Sequence, residues 1–173
     1  MKQELLIHQE TIKSRIKELA RRISSDYSGK EPVFVGILNG SVFFFADIAR
    51  EMTIPLKIDF IRAASYGSGN SSSGSVRLTK GLEIPVKDKP VILVEDIVDT
   101  GLTLSKILDI ITEQSPESIK ICALIDKQER RKKDITIDYC GFQVEEGFLV
   151  GYGLDYNEQF RCLNDIYKLH FEK

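Results

Sequence analysis

The chain has no tryptophan, two histidines and three cysteines in 173 residues. His8 and His170 lie at opposite ends and make no catalytic pair, so each reads as a structural or surface residue. Cys122, Cys140 and Cys162 are odd in number and far apart, which excludes a disulfide framework and a Cys-x-x-Cys metal clamp. Cys122 sits inside an apolar run and is expected as a small core residue. No apolar run approaches the roughly 18 residues that a membrane span needs. The start Met1-Lys2-Gln3-Glu4 also lacks the basic-then-apolar plan of a secretory signal. The expectation is a cytoplasmic protein without a membrane partner. Net charge is only −2, with acids and bases interspersed. A protein that grips a polyanion carries a basic footprint, so nucleic acid is not expected as a partner. The short cluster Arg130-Arg131-Lys132-Lys133 reads as a solvated loop.

What is present suits one domain over residues 1–173, large enough to bury about two thirds of its unfolded surface. From Gln9 to Ser24, Ile12, Ile16, Leu19, Ala20 and Ile23 recur at three- and four-residue spacing, the pattern of an amphipathic helix. Val33–Leu38 is a buried strand, Asn39-Gly40-Ser41 a turn, and Phe44, Phe45, Ile48 and Ala49 mark a second helix. Between Pro55 and Arg62, Leu56, Ile58 and Phe60 alternate with Lys57, Asp59 and Arg62, which predicts a half-exposed strand nearer a sheet edge. The Gly/Ser-rich stretch from Ser65 to Ser75 cannot form a core, and an insert of this kind within a compact domain is expected to be a functional lid. A short strand near Val76–Leu78 follows, and later a strand at Ile119–Ile125. The βαβ succession predicts an α/β fold around a mostly parallel, doubly wound sheet.

The most informative stretch runs from Val91 to Thr103, Val-Ile-Leu-Val-Glu-Asp-Ile-Val-Asp-Thr-Gly-Leu-Thr. Its first four residues show no alternation and suit a strand buried on both faces. Thr100-Gly101 then turns into a helix carrying Leu104, Ile107, Leu108 and Ile111. The first-turn amides there have no intrahelical partner and the helix dipole is positive, so a phosphate dianion fits without a dedicated cation. Glu95, Asp96 and Asp99 stand beside that point, at the carboxyl end of a strand, where open α/β sheets bind ligands. A plainer reading makes Asp99 or Thr100 a helix N-cap with the acids solvated. Three acids grouped at a buried strand end cost desolvation energy unless something compensates them.

This string resembles the phosphoribosyl-pyrophosphate (PRPP) signature of type I phosphoribosyltransferases, in the form of the hypoxanthine-guanine branch. The resemblance extends in order through Leu38-Asn39-Gly40-Ser41, Ser65-Tyr66-Gly67-Ser68-Gly69, Lys127 and the run Phe148–Arg161. It implies the type I phosphoribosyltransferase fold, a mostly parallel central sheet flanked by helices. It also implies a small hood from about 138–173, possibly with N-terminal residues, and a lid at about 65–75. The implied reaction moves the 5-phosphoribosyl group of PRPP to N9 of a 6-oxopurine, hypoxanthine or guanine, and releases pyrophosphate.

By the same resemblance, Thr100, Gly101, Leu102 and Thr103 bind the 5′-phosphate. Many relatives have a basic residue where this chain has Leu102, which leaves the phosphate to amides and hydroxyls. Glu95 and Asp96 hold the ribose hydroxyls, directly or through Mg²⁺, and Asp155 reaches a second Mg²⁺ through water. Asp99 is the catalytic acid or base facing the purine near N7. Lys127 donates to O6, Phe148 stacks on the base, and the Leu149 backbone contacts its N1/N2 edge, with Asp155 also on the purine side. Asn39, Gly40 and Arg161 bind pyrophosphate, Asn39 replacing a residue that is often basic. The first peptide of that loop is often cis in relatives. Ser65 and Tyr66 form the closing dipeptide of the lid. Homodimers or homotetramers are implied, and the Val42–Ile48 helix serves equally as interface or core. Other readings stay open. One is a regulatory protein sensing PRPP or a nucleotide on the same scaffold, and another is a xanthine-preferring or pyrimidine-specific enzyme.

Overall fold

Strands without alternation need cover on both faces, and the helices supply it. The computed structural model describes residues 1–65 and 76–171. In chain order the elements are β1 (Lys2–Ile7), α1 (Gln9–Asp26), β2 (Val33–Leu38), α2 (Val42–Glu51), β3 (Lys57–Ser65), β4 (Val76–Lys80), β5 (Pro90–Val98), α3 (Leu102–Thr112), β6 (Ser118–Lys127), β7 (Tyr139–Val144), β8 (Phe148–Val150) and β9 (Ile166–His170). Six strands form one sheet in the order β4-β3-β2-β5-β6-β7. All its pairings are parallel except the edge pair of β3 with β4.

Alternate residues of the central strands serve opposite cores. Phe34, Ile92, Val94, Cys122 and Leu124 pack with Ile12, Ile16, Phe44 and Ile48 of α1 and α2. Val33, Val35, Val91, Leu93 and Ala123 pack with Leu104, Ile107 and Ile111 of α3. Each such aliphatic or aromatic side chain removed from water stabilises the fold by about 1.5–3 kcal/mol. The two-sided burial fixes the pleat, because a one-residue slip would exchange the two cores. Cys122 lies in this core, and burial pushes its thiol pKa up.

A second, three-stranded antiparallel sheet, β1-β9-β8, joins the two ends of the chain. Lys2 pairs with His170 and Phe148 with Leu169. This hood begins later than the resemblance implied. Tyr139–Val144 extends the main sheet beside β6, and only from Phe148 does the chain turn to the smaller sheet. The His8 side chain accepts from Glu10 N–H and caps α1.

Strand β3 departs from the predicted alternation. Ile58 is exposed and Asp59 is buried. The Asp59 carboxylate takes N–H bonds from Phe60, Glu83 and Ile84 at 2.7–2.9 Å and one from Lys80 Nζ at 3.2 Å. Four donors offset the burial of one charge, so the acid fastens the segment after β4 to the sheet. Ser65 ends β3, while Tyr66 and the rest of the expected lid lie outside the described residues. Among the described residues no helix is long and apolar enough to cross a membrane.

Candidate active site

The site forms where β5 ends. Its strand is wholly buried from Pro90 to Val94, and exposure returns at Glu95 as the chain reaches the carboxyl edge of the sheet. Gly101 takes φ +76° and is itself the N-cap of α3, with no side-chain cap. Neither Asp99 nor Thr100 fills that place, so the N-cap reading of the acids is set aside. Thr100 Oγ1 lies 3.4 Å from Leu102 N, at the long end of hydrogen bonding. A left-handed φ favours glycine, and a Cβ on Gly101 would also stand 2.9 Å from Ile135. The helix start thereby keeps amide donors facing outward for an anion.

Two cavities meet at this strand end. One, of about 350 Å³, lies between the Leu38–Gly40 loop and the Thr100–Thr103 turn. The other, of about 400 Å³, lies between Lys127, Arg130 and the hood residues Phe148 and Leu149. Asp96, Ile97, Asp99 and Asp155 line both. The Thr100–Thr103 turn and an aromatic-walled cavity therefore share one row of acids.

The acids are held differently. Desolvation holds the Glu95 carboxyl well above the usual carboxylate range, and the hydrogen bond and charge of Asp96 add to the effect. Asp96 is buried, accepts from Ile97 N at 2.9 Å, and presses against Gly40. A Cβ on Gly40 would fall 1.8 Å from Asp96 Oδ2, so glycine is what allows this loop to reach the strand end. The Leu38–Asn39 peptide is cis. Among the described residues no three His, Cys, Asp or Glu side chains cluster as a ready metal cage.

On the other side, Lys127 closes β6 and is only 6% exposed. Its Nζ stands 3.7 Å from Asp99 Oδ2 and 3.3 Å from Glu129 Oε2. Glu129 also accepts from Gly147 N at 3.2 Å, tying the lysine to the hood. Phe148 is 42% exposed and meets Tyr156 and Phe171 edge to face at 5.5 and 5.6 Å. Edge contacts hold a ring's plane while leaving a face open for stacking. Leu149 is buried behind it. Arg161 donates to Gly153 O at 2.8 Å and pairs with Asp155 at 2.9 Å and Glu158 at 3.1 Å.

Of the described side chains singled out in the sequence, Leu102 lines neither cavity. Leu102 is exposed on the first turn of α3. The reading of 130–133 as a solvated loop is corrected. Arg131 donates to Asp99 O at 2.8 Å and Val98 O at 2.9 Å and pairs with Asp126. Lys132 N and Lys133 N donate to Thr100 O at 2.9 and 3.2 Å. Arg130 binds the Asp99 side chain. This segment braces the anion turn from behind. The available signal was its position just after a core strand, whose end must lie beside the end of β5 in a parallel sheet.

The family model described as a phosphoribosyl transferase domain matches residues 3–157. The chain belongs to the phosphoribosyltransferase family. Among relatives of this phosphoribosyltransferase, the hypoxanthine-guanine phosphoribosyltransferase of Aquifex aeolicus is 45% identical, covering 96% of this chain and 94% of its own. The crystal structure of a hypoxanthine phosphoribosyltransferase from Staphylococcus aureus superposes with TM-score 0.92 at 40% identity, covering 96% of this chain and 91% of that one. A Bacillus anthracis hypoxanthine-guanine phosphoribosyltransferase with HEPES in its active site gives TM-score 0.91 at 42% identity, covering 96% and 98%. The phosphoribosyltransferase therefore matches these proteins in both sequence and fold over nearly its whole length.

Proposed function

We propose that this phosphoribosyltransferase is a purine salvage enzyme that moves the 5-phosphoribosyl group of PRPP to N9 of hypoxanthine or guanine, giving IMP or GMP and pyrophosphate. The meeting of the two cavities at Asp96, Ile97, Asp99 and Asp155 carries this reading. In this reading the phosphate sits at the Thr100–Thr103 turn on one side of the acids and the base in the aromatic-walled cavity on the other. Relatives named for the same enzyme span almost the whole chain, and they favour catalysis over a purely regulatory role.

Thr100, Gly101 and Thr103 hold the 5′-phosphate through amides and hydroxyls, and the exposed Leu102 adds only its backbone. Glu95 and Asp96 hold the ribose hydroxyls. Asn39 and Gly40 take the pyrophosphate through backbone donors, and Arg161 offers it a planar fork after leaving Asp155. Phe148 stacks on the purine, the Leu149 backbone contacts its N1/N2 edge, and Lys127 donates to O6. An amino group at that position would face the ammonium with another donor, which disfavours adenine. Asp99 handles the proton at the imidazole edge. Ser65 and Tyr66 close over the reacting atoms and keep water out.

Mg²⁺ suits the acids. Two adjacent carboxylates, one of them held far from its charged form by burial, lack a protein cation in the described residues' ion pairs. Hard oxygen donors beside a diphosphate are what Mg²⁺ takes, with waters and substrate oxygens completing its shell. Glu95 and Asp96 would hold one such ion, and Asp155 would serve a second. When bound, the metal would supply charge neutralisation for the departing pyrophosphate.

The protein works in the cytoplasm as a homodimer or homotetramer. Val42 and Phe43 of α2 and Ile58 of β3 are exposed and offer apolar surface to a second copy. Sedimentation at micromolar concentration tests the assembly. For activity, purified protein receives PRPP, Mg²⁺ and each of hypoxanthine, guanine and xanthine. Nucleotide from the first two is expected, and no product from any oxopurine would refute the function.

A further inference from the structure

Asp99 treats its two carboxylate oxygens unequally. Oδ2 accepts from Arg130 Nε at 3.1 Å and Nη2 at 2.5 Å, and stands 3.7 Å from Lys127 Nζ. Oδ1 is the one side-chain polar atom among the described residues that is buried without a hydrogen-bond partner. An empty buried acceptor costs free energy. A carboxylate torsion is broad, so a partial turn about Cβ–Cγ would swing the carboxylate plane away from this arrangement. Something must hold this one oriented.

Lys127 cannot do so throughout the reaction. Its Nζ is closer to Glu129 than to Asp99, and under the proposed function it turns to O6 when the base arrives. Arg131 faces elsewhere, to the carbonyls of Val98 and Asp99 and to Asp126. Arg130 is the cation that stays on the side chain. It is 65% exposed, so little besides this contact fixes it, and it stands at the wall of the base cavity.

We propose that Arg130 is a positioning residue for the transfer reaction, its guanidinium holding the Asp99 carboxylate in place at the wall of the base cavity. The inference rests on the reading of Asp99 as the group that handles the purine proton. It adds a residue that the sequence placed in a solvated loop.

The test compares the parent, R130A, R130K, D99N and the double variant in single turnover, with enzyme, PRPP and Mg²⁺ in excess over hypoxanthine, and in steady-state titrations of PRPP. R130A is expected to slow the chemical step about fivefold, the kinetic equivalent of one exposed hydrogen-bonded ion pair, while KM for PRPP stays at the parental value. R130K keeps the charge and one donor and restores most of the rate. In the D99N background R130A causes no further loss, because the residue acts through Asp99. R130A at the parental rate, R130K as slow as R130A, or the full fivefold loss again in D99N would each overturn the inference. D99N at the parental rate overturns the reading of Asp99 together with it. D99N slow and R130A unaffected overturns the inference alone.

Discussion

Asp59 and the acids at the end of β5 face the same problem, a carboxylate among protein atoms, and the chain answers it in opposite ways. Around Asp59, burial pushes the carboxyl up, but N–H groups of Ile84, Glu83 and Phe60 and the Lys80 ammonium outweigh it and hold the pKa below its ordinary value. At the end of β5, Glu95 has one long N–H contact, from Asp96 at 3.3 Å, and burial with the neighbouring Asp96 carboxyl outweighs it and holds Glu95 well above the ordinary range. Asp99 keeps one oxygen with no partner at all. Satisfied polar groups fasten a fold, and unsatisfied ones mark where it waits for a ligand. The difference separates a structural carboxylate from those proposed to meet a ligand.

Substitutions can break that contrast. The largest effect is expected for Asp99→Asn, which removes proton handling and should slow single turnover on the order of a hundredfold, leaving PRPP affinity largely intact. Stopped or quenched-flow measurement decides it, and an unchanged rate refutes the assignment. Lys127→Ala should lower kcat/KM for hypoxanthine by about tenfold or more, the loss of a charged hydrogen bond. Its discrimination against adenine should fall further than its PRPP binding, and equal losses for both ligands would count against a role at O6.

At the other acid the readout is stability. Asp59→Asn should destabilise the fold by about 1–3 kcal/mol in urea titrations at neutral pH, with kcat unchanged. The sign with pH follows from the lowered pKa. The stabilisation is present above the unfolded carboxylate value of about 3.9 and is lost as pH falls through the lower folded value. The gap between parent and variant should therefore narrow in acid. A gap that widened instead would reverse the assignment. The smallest effect is expected for Leu102→Lys, which restores a cation beside the anion turn and should tighten PRPP by about twofold to fivefold, as surface charges do. Calorimetric titration in low and high salt checks it, since the gain should shrink with screening.

Much of this was legible in the residues. The buried run Val91–Val94 and the amphipathic spacing of Ile12, Ile16, Leu19 and Ile23 are periodicities of local backbone geometry, so they name strand and helix directly. The acids and the Thr-Gly turn were found as candidates because their motif is contiguous, whereas Lys127 and Phe148 came only from the family resemblance. Asp59 was misplaced because alternation predicts which way a side chain points and not which donors wait for it. The 130–133 segment was misjudged for a related reason. Four cations in a row look like a solvated loop until Val98, Asp99 and Thr100 offer them acceptors across the sheet edge.

By itself, the order of residues determined the parallel sheet, the helix that covers each face and the point where a phosphate can sit. The strand and helix patterns behind them depend on interactions within a few residues of chain. Only the tertiary structure decided that β1 and β9 join in one hood, that Gly40 seats on Asp96, and that Arg130 grips Asp99. Each of these contacts depends on distances of a few ångströms between segments remote in sequence. Hydrogen bonds and ion pairs are strong only at that range and in shielded surroundings, and no local pattern encodes which segments will meet.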